Sequence, residues 1–313
     1  MVLSQSPVHD GLKDYGERDK GPETALVTIA VLVLSLLFIF QSGILEYGQS
    51  VEQIVSSSVV SEEVLLAFRA SCVVLVTVTL TWLVMDPKGA VDHPLYMKER
   101  RVMPRTAIGL VRLAAFTQWH FALIGLSFAV SAAASWTHLS GGEVPDWMLV
   151  ASPALFATSY SCAILVTCVI SFHIIGNEVR KGHNIDHLFS WYELVMHNAN
   201  VAILGLALLI NGMEIDWRYL AFPIVFGVIY VAWAAVFANF IGGVFIYDFI
   251  DYRRSRAPVI YIGLLSLLAI FFFMVWTLDR TIESNWFLGL LAVVGTTWAM
   301  TTISNPTSAK DPE

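Results

Sequence analysis

The sequence predicts an all-α fold, a polytopic transmembrane helical bundle of about eight spans. Of the 313 residues, 57% are hydrophobic and 14% are charged, against about 45–50% and about 25% in soluble domains. The apolar residues collect in runs of about 20, the length at which a helix crosses a hydrocarbon core of about 30 Å. Lys and Arg collect between alternate runs. The bilayer is therefore the expected solvent of one membrane domain.

The apolar runs divide the chain into three parts. The polar residues 1–24 are predicted to form a disordered cytosolic tail, 25–303 a transmembrane domain, and 304–313 a short C-terminal tail. The first part lacks the early apolar stretch and small-residue cleavage site of a signal peptide. Spans are predicted at 25–45, 64–85, 107–135, 148–175, 192–212, 219–247, 258–277 and 286–303.

The distribution of basic residues predicts the orientation of these spans. With the N-terminus inside, the inner segments hold 14 Lys and Arg residues and the outer loops hold 2, Arg218 and Arg280. Basic residues near span ends stay on the cytoplasmic side. Both termini are therefore expected in the cytoplasm, in an endomembrane or plasma membrane that the sequence does not specify.

Two polar residues in the predicted spans suggest chemistry. Thr117 lies about ten residues, or about 15 Å, into the third span, and His197 about six residues, or about 9 Å, into the fifth. Both spans start from the cytoplasm, so a nucleophile and its general base are predicted at compatible depth. Asn200, one turn from His197, is predicted on the same cavity wall, where it could orient the imidazole.

Other interpretations of these residues stay open. His120 follows Thr117 by three residues and could pair with it, although an interhelical hydrogen bond is the better interpretation. His183 and His187 have a spacing that metal ligands use on a helix, but Gly182 and Asn184 indicate a loop. Since the other histidines do not cluster around them, no metal and no cofactor is predicted.

Two short motifs carry a resemblance to a known family. The segment Phe116-Thr117-Gln118-Trp119-His120-Phe121 is similar to the "FT.W.F" opening of the androgen-induced protein family and the related rolling stone-like membrane proteins. A second set of residues resembles the later half of that family: His197, Asn200, Asn211-Gly212-Met213, Pro223, Tyr230, Gly243, Ile246-Tyr247 and Asp251. The resemblance covers Leu113 to Tyr252.

The resemblance implies a function as well as a fold. The family has a core of about six spans, and its best understood members are intramembrane threonine hydrolases of fatty acid esters of hydroxy fatty acids. Carried across, it implies Thr117 as nucleophile and His197 as base. Asp248 departs from the pattern, because the hydrolases have proline after the Ile/Val-Tyr pair. The first and eighth spans would be additions to the core.

These observations lead to two hypotheses from different classes. The first is an intramembrane threonine hydrolase whose partner is a fatty-acyl ester lipid within the bilayer. The second is a non-catalytic membrane scaffold or cell-fusion-related protein of the rolling stone type, in which the polar residues only hold helices together. A transporter is less well supported, since corresponding halves lack paired interrupted spans. No charged block suggests a nucleic-acid partner.

Overall fold

The computed structural model describes residues 14–15, 18–180, 182 and 184–306. This part of the chain is helical apart from one small sheet. The α-helices are α1 Gly21–Gln41, α2 Val51–Val55, α3 Glu62–Met85, α4 Phe116–Leu139, α5 Asp146–Cys168, α6 Ile175–Arg180, α7 Trp191–Leu194, α8 Asn200–Ile210, α9 Ala221–Val236, α10 Ala257–Ser284 and α11 Trp286–Met300. The antiparallel strands are β1 Ala90–Asp92 and β2 Arg105–Ala107.

Short segments of wider or tighter helix extend several of these elements. The π-helical segments are Val169–Ile174, Val195–Ala199 and Phe237–Ile241, and the 3₁₀ segments are Gly109–Ala114, Asp186–Phe189, Trp217–Leu220 and Asp248–Ile250. With these extensions, seven helical stretches within the described residues are long and apolar enough to cross a bilayer. The predicted multi-pass helical membrane fold is therefore confirmed.

The helix ends follow local sequence signals. Ser61 caps α3 by accepting a hydrogen bond from the Val64 amide, and Pro258 occupies the first turn of α10, where its missing N–H costs nothing. Asn285 ends α10 and caps α11, accepting from the Leu288 amide at 3.1 Å. Residues 257–300 therefore form a tight helical hairpin.

The polar segments gather at two ends of the bundle. At one end, Gly243 O accepts from the Met97 amide and Arg100 pairs with Asp19 at 3.0 Å. At the other end, the Gln49 side chain donates to Glu214 O at 2.6 Å. The segments that the basic residues predict to be inner contact one another at one end of the bundle. The segments predicted to be outer contact one another at the other end.

Two boundaries differ from the sequence predictions. The third span was expected from residue 107, but α4 begins at Phe116 because residues 109–114 form a separate 3₁₀ turn and Ala115 is extended. Of the predicted N-terminal tail, residues 1–13, 16 and 17 lie outside the described part. The Ser255 amide donates to Asp14 O at 2.9 Å, and α1 begins at Gly21.

Candidate functional site

Thr117 lies in the first turn of α4. It is 5% exposed, and its hydroxyl lies 3.4 Å from the Tyr247 hydroxyl. The predicted depth of about 15 Å is wrong as a distance along the helix, because α4 begins one residue earlier and the rise to Thr117 is about 1.5 Å. The preceding residues, 109–114, form a separate 3₁₀ turn, and from this turn Arg112 donates to Leu83 O near the end of α3.

The Thr117 side chain forms part of the wall of an apolar cavity of about 70 Å³. A single water needs about 10–15 Å³ on this measure, so the cavity has room for a group larger than one water. Its walls come from α5, α9, α10 and the 247–250 loop. The lining residues are Phe116, Thr117, Leu165, Val166, Val169, Ile170, Ile174, Gly227, Tyr230, Val231, Tyr247, Phe249, Ile250, Tyr261, Leu264, Leu265 and Leu268.

Three tyrosines supply most of the polar atoms of this cavity. The Tyr261 hydroxyl donates to Ile250 O at 2.7 Å. The Tyr230 hydroxyl is buried and has no hydrogen-bond partner within the described part of the chain. Tyr247, in the loop between two spans, has its pKa raised by burial, an effect that contacts with Thr117 only partly offset. Tyr247 is therefore a neutral phenol at physiological pH and can donate a hydrogen bond.

His197 is buried in a π-helical turn after α7. Its Nδ1 lies 3.5 Å from Glu193 Oε2, one turn earlier, but the angle leaves this nitrogen without a hydrogen bond among the described residues. The His197 carbonyl accepts from the Thr167 hydroxyl at 2.6 Å. The backbone of His197 is thus fixed to α5, and its ring lies beside the Glu193 carboxylate.

Asn200 contacts α5 as well. Its Oδ1 accepts from the Thr167 hydroxyl at 3.2 Å and from the Val201 amide at 2.7 Å. Neither Asn200 nor His197 is among the residues that line the cavity at Thr117. In the described structure Asn200 therefore connects two helices, and its predicted position on the cavity wall is not observed.

Thr117 and His197 belong to packed elements, since α4 contacts the Val195–Ala199 turn. Within the described residues, the Thr117 hydroxyl is hydrogen bonded to Tyr247, and no hydrogen bond joins it to His197. The direct pairing of Thr117 with His197 as nucleophile and base therefore stays a prediction. His120, one turn after Thr117, is fully buried and lies within electrostatic range of His197. The His120 ring also lies within interaction range of the Ser159 backbone on α5, and the expected interhelical hydrogen bond stays a prediction.

A buried charged cluster adjoins His197. Arg112 lies 3.8 Å from Glu193 and 3.5 Å from Asp86, and it donates to Leu83 O at 2.7 Å. The Tyr192 hydroxyl donates to Asp86 at 3.1 Å. Arg112 and Glu193 lie in the third and fifth predicted spans, and the sequence alone does not indicate that they are in contact. Two opposite charges in apolar segments were the signal in the sequence that could have indicated this pairing.

The three π-helical segments lie near this end of three different spans. Val169, Ile170 and Ile174, from the first of them, line the cavity, and His197 lies in the second. Single-turn π segments often occur at functional sites. At these segments the regular α-helical hydrogen bonds are replaced by the wider π-helical pattern, beside the cavity in one case and at His197 in another.

The two histidines that were weighed as metal ligands lie apart from the residues described above. His183 lies outside the described residues, and His187 belongs to a 3₁₀ turn. No group of three or more potential metal ligands occurs among the described residues.

Comparison of the chain with protein-family profiles, curated proteins and solved structures gives no match.

Proposed function

We propose that this protein is an intramembrane threonine hydrolase that acts on a fatty-acyl ester lipid, such as a fatty acid ester of a hydroxy fatty acid. The observation that carries the proposal is the position of the Thr117 hydroxyl on the wall of an apolar cavity, beside the Tyr247 hydroxyl. An acyl chain requires apolar walls, and the ester carbonyl requires a nucleophile at one end of them.

Thr117 attacks the ester carbonyl carbon in this proposal, and His197 takes the hydroxyl proton. The proton then passes to the leaving alcohol, and water hydrolyses the acyl-threonine by the same route. His197 is buried on a turn that packs against α4, and Glu193 lies beside its ring. The resemblance of Leu113 to Tyr252 to a family of threonine hydrolases supports the same two roles.

Substitution of the nucleophile tests the reaction directly. In protein purified in detergent, Thr117→Ala and His197→Ala are each expected to reduce ester hydrolysis to the uncatalysed rate. A fluorophosphonate probe should label Thr117 in the native chain. Thr158→Ala is a matched control, because Thr158 is a buried helical threonine whose hydroxyl donates to Ala154 O of its own helix. Undiminished hydrolysis by Thr117→Ala would exclude the mechanism.

The second candidate is a non-catalytic membrane scaffold. It is favoured by the interhelical contacts of the neighbouring polar side chains. The Thr167 hydroxyl donates to the His197 carbonyl and to Asn200 Oδ1. The Asn198 side chain bonds to the backbone amide and carbonyl of Thr302, both at 3.1 Å. A scaffold predicts no labelling of Thr117 by the probe. It also predicts that His197→Ala acts on stability alone.

We further propose eight crossings with both termini in the cytoplasm. The helix α11 has 15 residues, yet it runs beside the fifth span from one end to the other. Trp286 donates to Leu209 O at 3.3 Å, and Thr302 contacts Asn198 near the start of that span. The excess of basic residues at the end shared by residues 86–107 and 242–256 supports the orientation.

Cysteine labelling tests this topology. An impermeant maleimide should modify Ser304→Cys from the cytosolic side and Glu143→Cys from the opposite side only. The unsubstituted chain provides the background, because Cys72 and Cys162 are buried and Cys168 is partly buried. Labelling of both substituted positions from one side would contradict the eight-span arrangement.

A further inference from the structure

The first turn of α4 lies at the wall of the cavity, where Phe116 and Thr117 are lining residues. No side chain caps this helix, because Ala115 precedes it, and the first amide groups of a helix lack partners within the helix. The N-terminus of a helix also carries a partial positive charge. The Thr117 hydroxyl lies in this turn. A negatively charged oxygen in the cavity beside Thr117 would therefore be stabilised by the backbone of the nucleophile's own helix.

Tyr230 contributes a second, independent feature at the same place. Its side chain is 3% exposed, it lines the cavity, and its hydroxyl has no partner among the described residues. Its ring packs edge to face against Phe116 at 4.9 Å and against Trp119 at 5.8 Å. Burial of an unpartnered hydroxyl destabilises a fold. Phenylalanine would fill the same space without this cost, so packing alone does not explain the Tyr230 hydroxyl.

Tyr247 places a third donor next to the nucleophile. Its hydroxyl lies 3.4 Å from that of Thr117, and its ring stacks on Phe249 at 5.2 Å, which restrains the position of the ring. Tyr230 and Tyr247 both lie within interaction range of the Phe116 backbone. The two phenols and the α4 N-terminus therefore converge beside Thr117.

We infer that Tyr247 and Tyr230, together with the N-terminus of α4, form an oxyanion-binding site for the acyl oxygen of the ester. This inference rests on the proposed threonine hydrolase. When Thr117 Oγ bonds to the carbonyl carbon, the π electrons of the C=O bond move to oxygen, and the threonine proton moves to His197. The new oxyanion accepts hydrogen bonds from both phenols. Its collapse restores the C=O bond and breaks the ester C–O bond, and the leaving alkoxide takes the proton from His197.

The expected kinetic result separates this role from simple binding. Removal of one oxyanion donor typically reduces kcat by about 10²–10³-fold. Tyr247→Phe and Tyr230→Phe should each reduce kcat by about 10²-fold and leave KM within about threefold, because the donors act on charge that develops in the transition state. Each variant keeps the aromatic ring and its contacts.

A transition-state analogue provides the decisive measurement. A long-chain trifluoromethyl ketone forms a tetrahedral oxyanion on the attacking threonine, so its affinity should fall in Tyr247→Phe and Tyr230→Phe by about the same factor as kcat. Tyr160→Phe is the matched control, because Tyr160 is buried with an unpartnered hydroxyl but does not line the cavity. It should retain native kcat and native affinity for the ketone.

The outcomes distinguish this inference from the proposed function. Full activity of Thr117→Ala would overturn both. If Thr117→Ala is inactive while both phenylalanine variants keep native kcat and ketone affinity, the hydrolase stands and the oxyanion site is overturned. Thermal unfolding of each variant accompanies the assays. Because Tyr230→Phe keeps the ring and its contacts with Phe116 and Trp119, it should fold with nearly native stability, and its kinetics can then decide.

Discussion

The Arg112 guanidinium lies 3.8 Å from the Glu193 carboxylate and 3.5 Å from that of Asp86, with the arginine side chain 4% exposed. One cation thus serves two carboxylates from two different spans. Removal of one partner from a buried ion pair leaves uncompensated charge and costs about 3–5 kcal/mol. The pairing of Arg112 with these residues therefore holds the 3₁₀ turn before α4 against the end of α3.

Replacement of Arg112 should reduce the free energy of unfolding strongly. Arg112→Met is expected to destabilise the protein by about 3–5 kcal/mol, as measured by thermal or denaturant unfolding in detergent. Arg18→Gln is the control, because Arg18 pairs with Glu23 at 3.5 Å with 74% of its side chain exposed. Exposed pairs contribute about 0–1 kcal/mol. Equal unfolding of the two variants would show that the cluster does not stabilise this end of the bundle.

The same cluster predicts how stability depends on pH. Burial raises the pKa of Asp86, but the Lys88 amide, the Tyr192 hydroxyl and the Arg112 guanidinium together hold it below its ordinary value. The stabilisation is therefore present above the unfolded pKa of about 3.9 and is lost as pH falls through the lower folded pKa.

Unfolding measurements across pH can detect this contribution. The difference in melting temperature between the native chain and Asp86→Asn should be largest near pH 7 and should shrink below about pH 4. Tyr192→Phe removes one hydrogen bond to Asp86 and should move this loss to higher pH. A difference that is the same at all pH values would contradict a role for the ionised Asp86 carboxylate.

Gly227 predicts which substitutions narrow the proposed acyl cavity. A methyl group at this position would lie 2.7 Å from Leu268 Cδ1 and 3.2 Å from Leu265 Cδ2, and both leucines line the cavity. These are flexible side-chain ends, so they should move into the cavity with little loss of stability. Gly227→Ala should therefore reduce hydrolysis of long-chain esters by about tenfold relative to short-chain esters.

Gly263 provides the matched control for this prediction. It lies in α10 with no atom within 4 Å of an added methyl group. Gly263→Ala should keep the native ratio of long-chain to short-chain hydrolysis. An unchanged ratio in Gly227→Ala would indicate that acyl chains do not occupy the cavity.

The membrane fold could be predicted from sequence because its signal is local. Apolar runs of about 20 residues and the distribution of Lys and Arg need no knowledge of which helices pack together. Arg69 and Arg112 show where such reasoning fails. Both were placed inside spans, and Arg69 does lie in α3, where it donates to Ser135 Oγ and Ile54 O. Arg112 instead lies in the 3₁₀ turn before α4, which the extended residue Ala115 separates from that helix.

The candidate site depends more strongly on tertiary structure. The sequence predicts Thr117 and His197 at compatible depth in two different spans, and in the structure α4 contacts the turn that carries His197. Their rotation about the helix axes could not be predicted, because the 3₁₀ turn before α4 and the π-helical turn at His197 both change the direction of the side chains. For the same reason Tyr247, on a loop distant in sequence, was missed as the contact of Thr117.

Gly289 predicts a close approach within the C-terminal hairpin. A methyl group at this position would lie 2.7 Å from Ile282 Cα of α10, and backbone atoms cannot move aside cheaply. Gly289→Ala should destabilise the hairpin by about 1–3 kcal/mol. Gly295→Ala on the same helix meets no atom within 4 Å and should be neutral. Comparison of the two melting temperatures tests the packing of α11, and equal values would contradict it.

Glu193 is predicted to position the imidazole of His197 in the proposed reaction. Its Oε2 lies 3.5 Å from His197 Nδ1, and its other oxygen faces Arg112. A carboxylate at this place can hold the ring so that Nε2 receives the threonine proton, and it can stabilise the imidazolium that forms. Glu193→Gln keeps the shape of the side chain but removes its charge. It should reduce kcat by about 10²-fold, within the range of general base catalysis, with KM nearly unchanged.

A double substitution shows whether Glu193 acts on the reaction only by positioning the His197 ring. If Glu193 acts only through His197, then Glu193→Gln should cause no further loss of kcat in a His197→Ala background, because residues that act as a unit are not additive. Glu143→Gln, at an exposed position in the loop between α4 and α5, is the control and should retain native kcat. Additive losses in the double variant would show that Glu193 affects the reaction independently of His197, through the Arg112 cluster and the start of α4.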